Sequence, residues 1–188
     1  MNAYCVRKAT FQDIPWISGQ LKDFAKVLPE AQAVKIPSDE YISATLAEMI
    51  RNHVVLVATN EKDTPAGMIA GVINNNMMNP GVTYLTEMMW WVVPGFRREG
   101  VGKLLLKAFI ACGRANESVE YITVSLEKNS PVRDNILIAE GLRHAESTFV
   151  MEAKHHANVY ESSTTGGSGD DDRVVGEEPS GSSEGDEA

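Results

Sequence analysis

Trp90 to Lys103 reads WWVVPGFRREGVGK, and the reading of that stretch decides the fold. Aromatic and β-branched residues run to Val93, Pro94-Gly95 stops them, a basic pair follows, and Gly100-Val101-Gly102 opens an amphipathic helix. Glycine lets a backbone approach a ligand closely, and the first turn of a helix points N–H groups outward. Those groups, the helix dipole and the charges of Arg97 and Arg98 suit a phosphate or pyrophosphate. A G-x-G before a helix is equally an ordinary tight strand-to-helix turn, and the residues alone leave both readings open. Two other phosphate loops do not fit. A P-loop needs G-x-x-x-x-G-K-[ST], and Gly95 and Gly102 have the wrong spacing. A dinucleotide fingerprint needs a third glycine where Leu105 stands.

Upstream, Thr83 to Val93 is the longest strand candidate, preceded by Pro65 to Asn74 and the valine-rich His53 to Thr59. Asn60 to Thr64 suits a hairpin turn, and Asn75 to Gly81 a loop. Ala3 to Lys8 forms a first short strand. Thr10 is an N-cap with Asp13 as capping-box acid, and Ile14, Ile17, Leu21, Phe24 and Val27 follow at helical spacing. Ser38 caps a second helix with Asp39 and Glu40 in its first turn and Ile42, Leu46, Met49 and Ile50 on its apolar face. Downstream, Gly100 to Arg114 is a helix and Tyr121 to Leu126 a strand. Ser130-Pro131 opens a helix to about Glu140, Gly141 caps it, and Phe149 to Ala153 is a final strand. The order β-α-α-β-β-β-α-β-α-β predicts an α/β (α+β) domain, a mixed sheet flanked by helices.

Of 188 residues, 26 are acidic and 17 basic, a net charge of -9, and 43% are hydrophobic, enough for a sizeable core. The composition breaks near Tyr160. Residues 161–188 carry -8 of that charge with six glycines and only Val174 and Val175 as large aliphatics, so the body is close to neutral. We read a domain over residues 1–155 and a disordered acidic Gly/Ser-rich tail over 156–188, chiefly a solubilising one. The charge balance argues against nucleic-acid and polybasic membrane partners. No signal-peptide pattern or apolar stretch of about 20 residues is present, which points to the cytoplasm. Cys5 and Cys112 read as reduced, small core residues. His53, His144 and His155-His156 lack metal-site spacing, so no metal is expected. The expected state is a monomer or homodimer.

Arg97-Arg98-Glu99-Gly100-Val101-Gly102 resembles the Q/R-x-x-G-x-G/A acetyl-coenzyme A motif of the GNAT family of N-acetyltransferases, and Val92-Val93-Pro94-Gly95-Phe96 is similar to its hydrophobic-x-Pro-x-aromatic lead-in. The order of elements over residues 3–153 matches the family's order. Glu140-Gly141-Leu142 with Glu146 to Val150 is similar to the close of small GNAT proteins encoded by tailed bacteriophages. The resemblance implies the GNAT fold, a mixed mostly antiparallel sheet, with acetyl-CoA as cosubstrate and a primary amine, on a small molecule or a protein, as acceptor. It implies that backbone groups of Trp90, Trp91 and Val92 bond the pantetheine arm. N–H groups from Arg98 through Glu99, Gly100, Val101 and Gly102 to Lys103 would cradle the pyrophosphate, beside the charge of Arg97. Asn129 matches a position that often contacts coenzyme A, and is equally placed to cap the next helix.

Direct attack by an amine calls for a general base. Glu87 lies ten residues before Arg97, near where several GNAT enzymes place a catalytic glutamate. Alternation would put it on one face with Leu85, Met89 and Trp91, where desolvation would raise its pKa. A strand-end glutamate reaching solvent or an arginine is the competing reading. The family's tyrosine acid would fall at Leu137, so either the thiolate leaves unaided, another residue substitutes, or the fold lacks transfer activity. Tyr84 and Tyr121 read better as sheet-packing aromatics. Lys26 to Pro37, Asn74 to Val82 and the first helix pair would set the acceptor, with Glu30, Asp39, Glu40 and Glu48 read mainly as a solvated face. A non-catalytic module binding coenzyme A or a protein partner is the alternative function.

Overall fold

The computed structural model describes residues 4–27, 37–126 and 130–146. The predicted final strand, Asn129, Glu30 and the acidic tail lie outside the described residues. Five strands form one sheet: β1 (Tyr4–Lys8), β2 (Val54–Asn60), β3 (Pro65–Asn75), β4 (Thr83–Val92) and β5 (Tyr121–Thr123), side by side in chain order. The first four pair antiparallel with one another in turn, and β5 runs parallel to β4. The helices are α1 (Ile14–Ala25), α2 (Asp39–Asn52), α3 (Val101–Ala115) and α4 (Asp134–Ala139). This is the predicted mixed, mostly antiparallel sheet flanked by helices.

The central strands read as near-continuous apolar runs because both sheet faces are covered. Alternate residues of β2 serve opposite cores, and so do those of β3 beyond the register step that leaves Ala66 unpaired. Val55, Val57, Met68 and Ala70 meet Ile17 of α1 and Ile42 and Leu46 of α2. Leu56, Ala58, Ala66 and Ile69 meet Val101, Leu105 and Phe109 of α3. Phe109 lies where β3 carries Gly71, and a Cβ there would stand 2.6 Å from the ring. The two hairpins are built by asparagines. Asn60 Oδ1 accepts from the Lys62 and Thr64 N–H groups at 3.0 and 2.9 Å, and Asn76 Oδ1 from those of Met78 and Asn79 at 2.8 and 3.1 Å.

The helix starts follow the predicted caps. The Thr10 N–H donates to Asp13 Oδ2 at 2.7 Å, and Arg7 donates to both Asp13 oxygens at 2.8 Å. The Arg7 hydrogen bonds, with those from Thr10, hold the Asp13 carboxyl down at about 2. Ser38 Oγ accepts from the Tyr41 N–H at 3.3 Å and opens α2.

Several expectations are corrected. The strand predicted from Tyr121 to Leu126 ends at Thr123. The last helix begins at Asp134 rather than at Ser130-Pro131, because Ser130 Oγ takes the Val132 N–H at 3.1 Å and closes a local turn that competes with helix. Its end is as predicted: Gly141, at φ 92°, donates to Ile138 O, and the Leu142 N–H reaches back to Leu137 O. Cys5 is not a core residue. It is exposed on edge strand β1, its Sγ 3.2 Å from Thr59 Oγ1, whereas Cys112 is half-buried against the α3-side core.

Candidate active site

The site begins where two strands part. β4 pairs with β5 only from Tyr84 to Thr86, opposite Tyr121 to Thr123. Beyond Thr86, β4 runs on to Val92 paired with β3 alone among the described residues. The Val93 N–H donates to Ala66 O at 3.0 Å. Backbone groups of neighbouring residues point to opposite sides of a strand, so those of Trp90 and Val92 face the open edge and those of Trp91 face β3.

At the parting, β4 carries an extra residue. The register steps from Ala70 opposite Met89 to Gly71 opposite Glu87, which leaves Met88 as a bulge, 59% exposed. The bulge shifts the alternation. Leu85 belongs to the α3-side core, and Met89 and Trp91 to the α1–α2 core. The predicted common face of Leu85, Glu87, Met89 and Trp91 is therefore absent. Glu87 sits at the switch, 9% exposed, and its Oε2 accepts from the Ser125 N–H at 3.3 Å, beside the residues where β5 leaves β4.

At the far end of β4, Pro94–Phe96 forms a single helical turn, then Arg98 at φ 68° and Gly100 at φ 85° bring the chain into α3. The Leu104 N–H donates to Gly100 O as the first bond of that helix, so the N–H groups of Val101, Gly102 and Lys103 precede the ladder. The side chains around this turn have distinct tasks. Arg97 donates through Nε to Val92 O at 3.0 Å and lies over the Trp91 ring, 4.6 Å from its centroid. Trp91 donates through Nε1 to Gln20 Oε1 at 3.0 Å and meets Phe24 edge-on, ring centroids 5.7 Å apart. Trp90 packs on the other face, against the α3-side core. Arg98 is exposed. Glu99 accepts a hydrogen bond from the Tyr4 hydroxyl. Lys103 and Lys107 reach Glu140 Oε1 at 3.6 and 3.7 Å.

The donor set fits coenzyme A. An open strand edge offers main-chain partners to the amides of a pantetheine arm, and the N–H groups at the start of α3 offer them to a pyrophosphate. A separate open groove of about 480 Å³ lies on the outer side of α3, lined by Lys107, Ile110, Ala111, Arg114, Ala115 and Glu140, and shares no residue with the turn or the open edge. Among the described residues no group of three or more His, Cys, Asp or Glu could hold a metal ion. No helix among them is long and apolar enough to cross a membrane.

Tyr84 and Tyr121 stack on each other with centroids 5.2 Å apart, and Asn76 Nδ2 lies 3.4 Å from the Tyr84 hydroxyl, so both act as sheet aromatics. The acidic residues of α2 form a solvated face: Asp39 bridges Lys22 at 2.6 Å, and Glu48 meets Arg51 and Asn52. Sequence reasoning missed Tyr4 and Gln20. Both lie more than seventy positions from their partners in the chain, and periodicity carries no signal for such a pairing.

Known proteins add the family. Residues 22–134, more than half of the chain, match the acetyltransferase (GNAT) family. No curated protein sequence matches. Solved structures share the fold at low identity. A transcriptional regulator from Bacillus halodurans C-125 is 19% identical with a TM-score of 0.63, covering 80% of this chain and 99% of its own. A protein described as a predicted acetyltransferase, from Clostridium acetobutylicum and solved with acetyl-CoA, is 13% identical with a TM-score of 0.59, covering 79% of this chain and 96% of its own. An aminoglycoside acetyltransferase from an uncultured soil metagenomic sample, in complex with sisomicin, is 17% identical with a TM-score of 0.60, covering 81% and 97%. At these identities the likeness shows the fold alone. The match over residues 22–134 does more: the chain belongs to the acetyltransferase (GNAT) family.

Proposed function

We propose that the protein is an N-acetyltransferase moving acetyl from acetyl-CoA to a primary amine by direct attack. The observation that carries this is the parting of β4 from β5 at Glu87, with the αL turn and the start of α3 at the other end of the same open edge. When bound, acetyl-CoA supplies a thioester carbonyl and a thiolate leaving group. Main-chain groups of Trp90 and Val92 hold the pantetheine arm, and Trp91, its backbone turned to β3, contributes its ring as the platform for Arg97. The N–H groups of Val101, Gly102 and Lys103 meet the pyrophosphate, with Arg98 adding charge. Glu87 takes the proton that the acceptor amine must lose, directly or through water. Asn129 keeps its proposed contact with coenzyme A. The reading places the protein in the cytoplasm. A phage source has no counterpart among the structures named above and rests on the similarity of residues 140–150 alone.

A specific observation favours the second reading, a non-catalytic coenzyme A-binding module. Helix α4 carries Ile136, Leu137 and Ile138 where the family often has its tyrosine acid.

Release of free thiol from acetyl-CoA in the presence of an amine panel, including lysine peptides and polyamines, separates the two. We expect acceptor-dependent release by the wild type. Glu87→Gln should lower kcat by about 100-fold or more, the usual worth of a positioned base, with KM for acetyl-CoA little changed. Gly100→Glu combines a side chain at φ 85° with a carboxylate at the anion site, and should abolish coenzyme A binding. Coenzyme A binding with no release on any amine would favour the module. Full turnover in Glu87→Gln would remove Glu87 as the base.

A further inference from the structure

The turn proposed to hold a pyrophosphate contains one acidic side chain, Glu99, flanked by Arg98 and Gly100. A carboxylate there repels the anion that the turn is built to take. Its placement is therefore a property of the site. The Tyr4 hydroxyl donates to Glu99 Oε2, and the Tyr4 ring meets Phe96 of the same turn edge-on at 6.2 Å and 81°. One side chain thus grips both ends of the segment Phe96 to Glu99. Tyr4 belongs to β1, at the edge of the sheet opposite β5, while the open edge of β4 faces the β5 side. The carboxylate is tied toward the sheet edge remote from the opening. Hydrogen bonding to Glu99 also raises the Tyr4 hydroxyl above its ordinary 10.0, so it stays a donor across the physiological range.

We infer that Tyr4 is a positioning residue for the cosubstrate site: its hydroxyl holds the Glu99 carboxylate off the anion-binding turn while its ring steadies Phe96. The inference rests on the coenzyme A reading above and adds a residue that the motif does not contain. It makes a charge-specific claim, separable from a merely mechanical tether. In Tyr4→Phe the ring contact with Phe96 remains, the carboxylate is released, and coenzyme A affinity should fall about five-fold at low salt, the scale of a solvent-screened unit charge at close range. The deficit should shrink at high salt. In Tyr4→Phe/Glu99→Gln no carboxylate is left to repel, and affinity should return to within about two-fold of wild type.

The experiment is calorimetric titration of the full chain with coenzyme A at low and high salt, for wild type, Tyr4→Phe, Glu99→Gln and the double variant. Loss in Tyr4→Phe with recovery in the double variant supports the inference. Wild-type affinity in Tyr4→Phe overturns it, and so does a double variant as weak as Tyr4→Phe, which would make the tyrosine a mechanical tether. If Tyr4→Phe does not fold, Glu99→Gln alone decides: unchanged or tighter binding supports the inference, and a five-fold loss overturns it. A wild type that binds no coenzyme A overturns the function reading and this inference together, an outcome distinct from all the others.

Discussion

Asp13 shows how much one side chain can hold. It is 7% exposed, accepts from both Arg7 nitrogens and from the Thr10 backbone, and so joins β1 to the start of α1. Its folded pKa of about 2 lies below the ordinary 3.8. A depressed carboxyl contributes stability that is complete above the unfolded value and is lost as pH falls through the folded one. Asp13→Asn should therefore cost about 1–2 kcal/mol at pH 7, allowing for screening of the partly exposed Arg7. The gap to wild type should close between about pH 4 and pH 2 in urea-melt midpoints. Equal stability of the two proteins at pH 7 would contradict this. Arg98 presents the opposite case, a side chain held at a cost. At φ 68° a non-glycine residue is strained, and Arg98→Gly should raise thermal stability by up to about 1 kcal/mol. If Arg98 adds charge to a pyrophosphate site, the same variant should bind coenzyme A more weakly, so that stability and affinity move in opposite directions.

At the scale of elements, the periodicities were the readable part. The apolar runs of β2 and β3, helical spacing in α1 and α2, and the caps Thr10, Ser38 and Gly141 all appear where their local chemistry predicts. What stayed hidden depends on contacts distant in sequence. The bulge at Met88 is seen only in how β4 pairs with β3, and no local residue pattern marks it. That bulge is why Glu87 does not share a face with Met89 and Trp91, and its bond to Ser125 was equally invisible. Ser130-Pro131 misled for a different reason: the serine that makes a good N-cap also closes a turn by itself. The tight seat of α3 on the sheet gives an element-scale test. An alanine Cβ at position 71 would lie 2.6 Å from Phe109 Cζ and 2.7 Å from Thr86 O, where neither ring nor backbone yields easily. Gly71→Ala should destabilise the fold by about 1–3 kcal/mol in chemical denaturation. Because Gly71 stands opposite Glu87 across the bulge, the variant should lower turnover too.

The whole molecule is acidic in a way that its fold is not. Residues 161–188 hold -8 of the total -9, so the rest of the chain is almost neutral, while the turn from Arg97 to Lys103 is locally basic. Coenzyme A is strongly anionic, and at low ionic strength the summed charge of a protein acts on a charged ligand over about 10 Å or more, whereas salt confines it to contacts. A chain in which the nine acidic residues of 161–188 are replaced by their amides should therefore bind coenzyme A about three-fold more tightly at low salt, through faster association. Its kcat should be unchanged, because no group at the parting of β4 and β5 is altered. A cationic amine acceptor should show the reverse, a lower kcat/KM at low salt, and a neutral acceptor no change. Stopped-flow association and steady-state kinetics on the two full-length chains, across a salt series, measure all three. Identical salt slopes would mean that the charge of this segment does not act on the site, and that only the basic turn sets the electrostatics of binding.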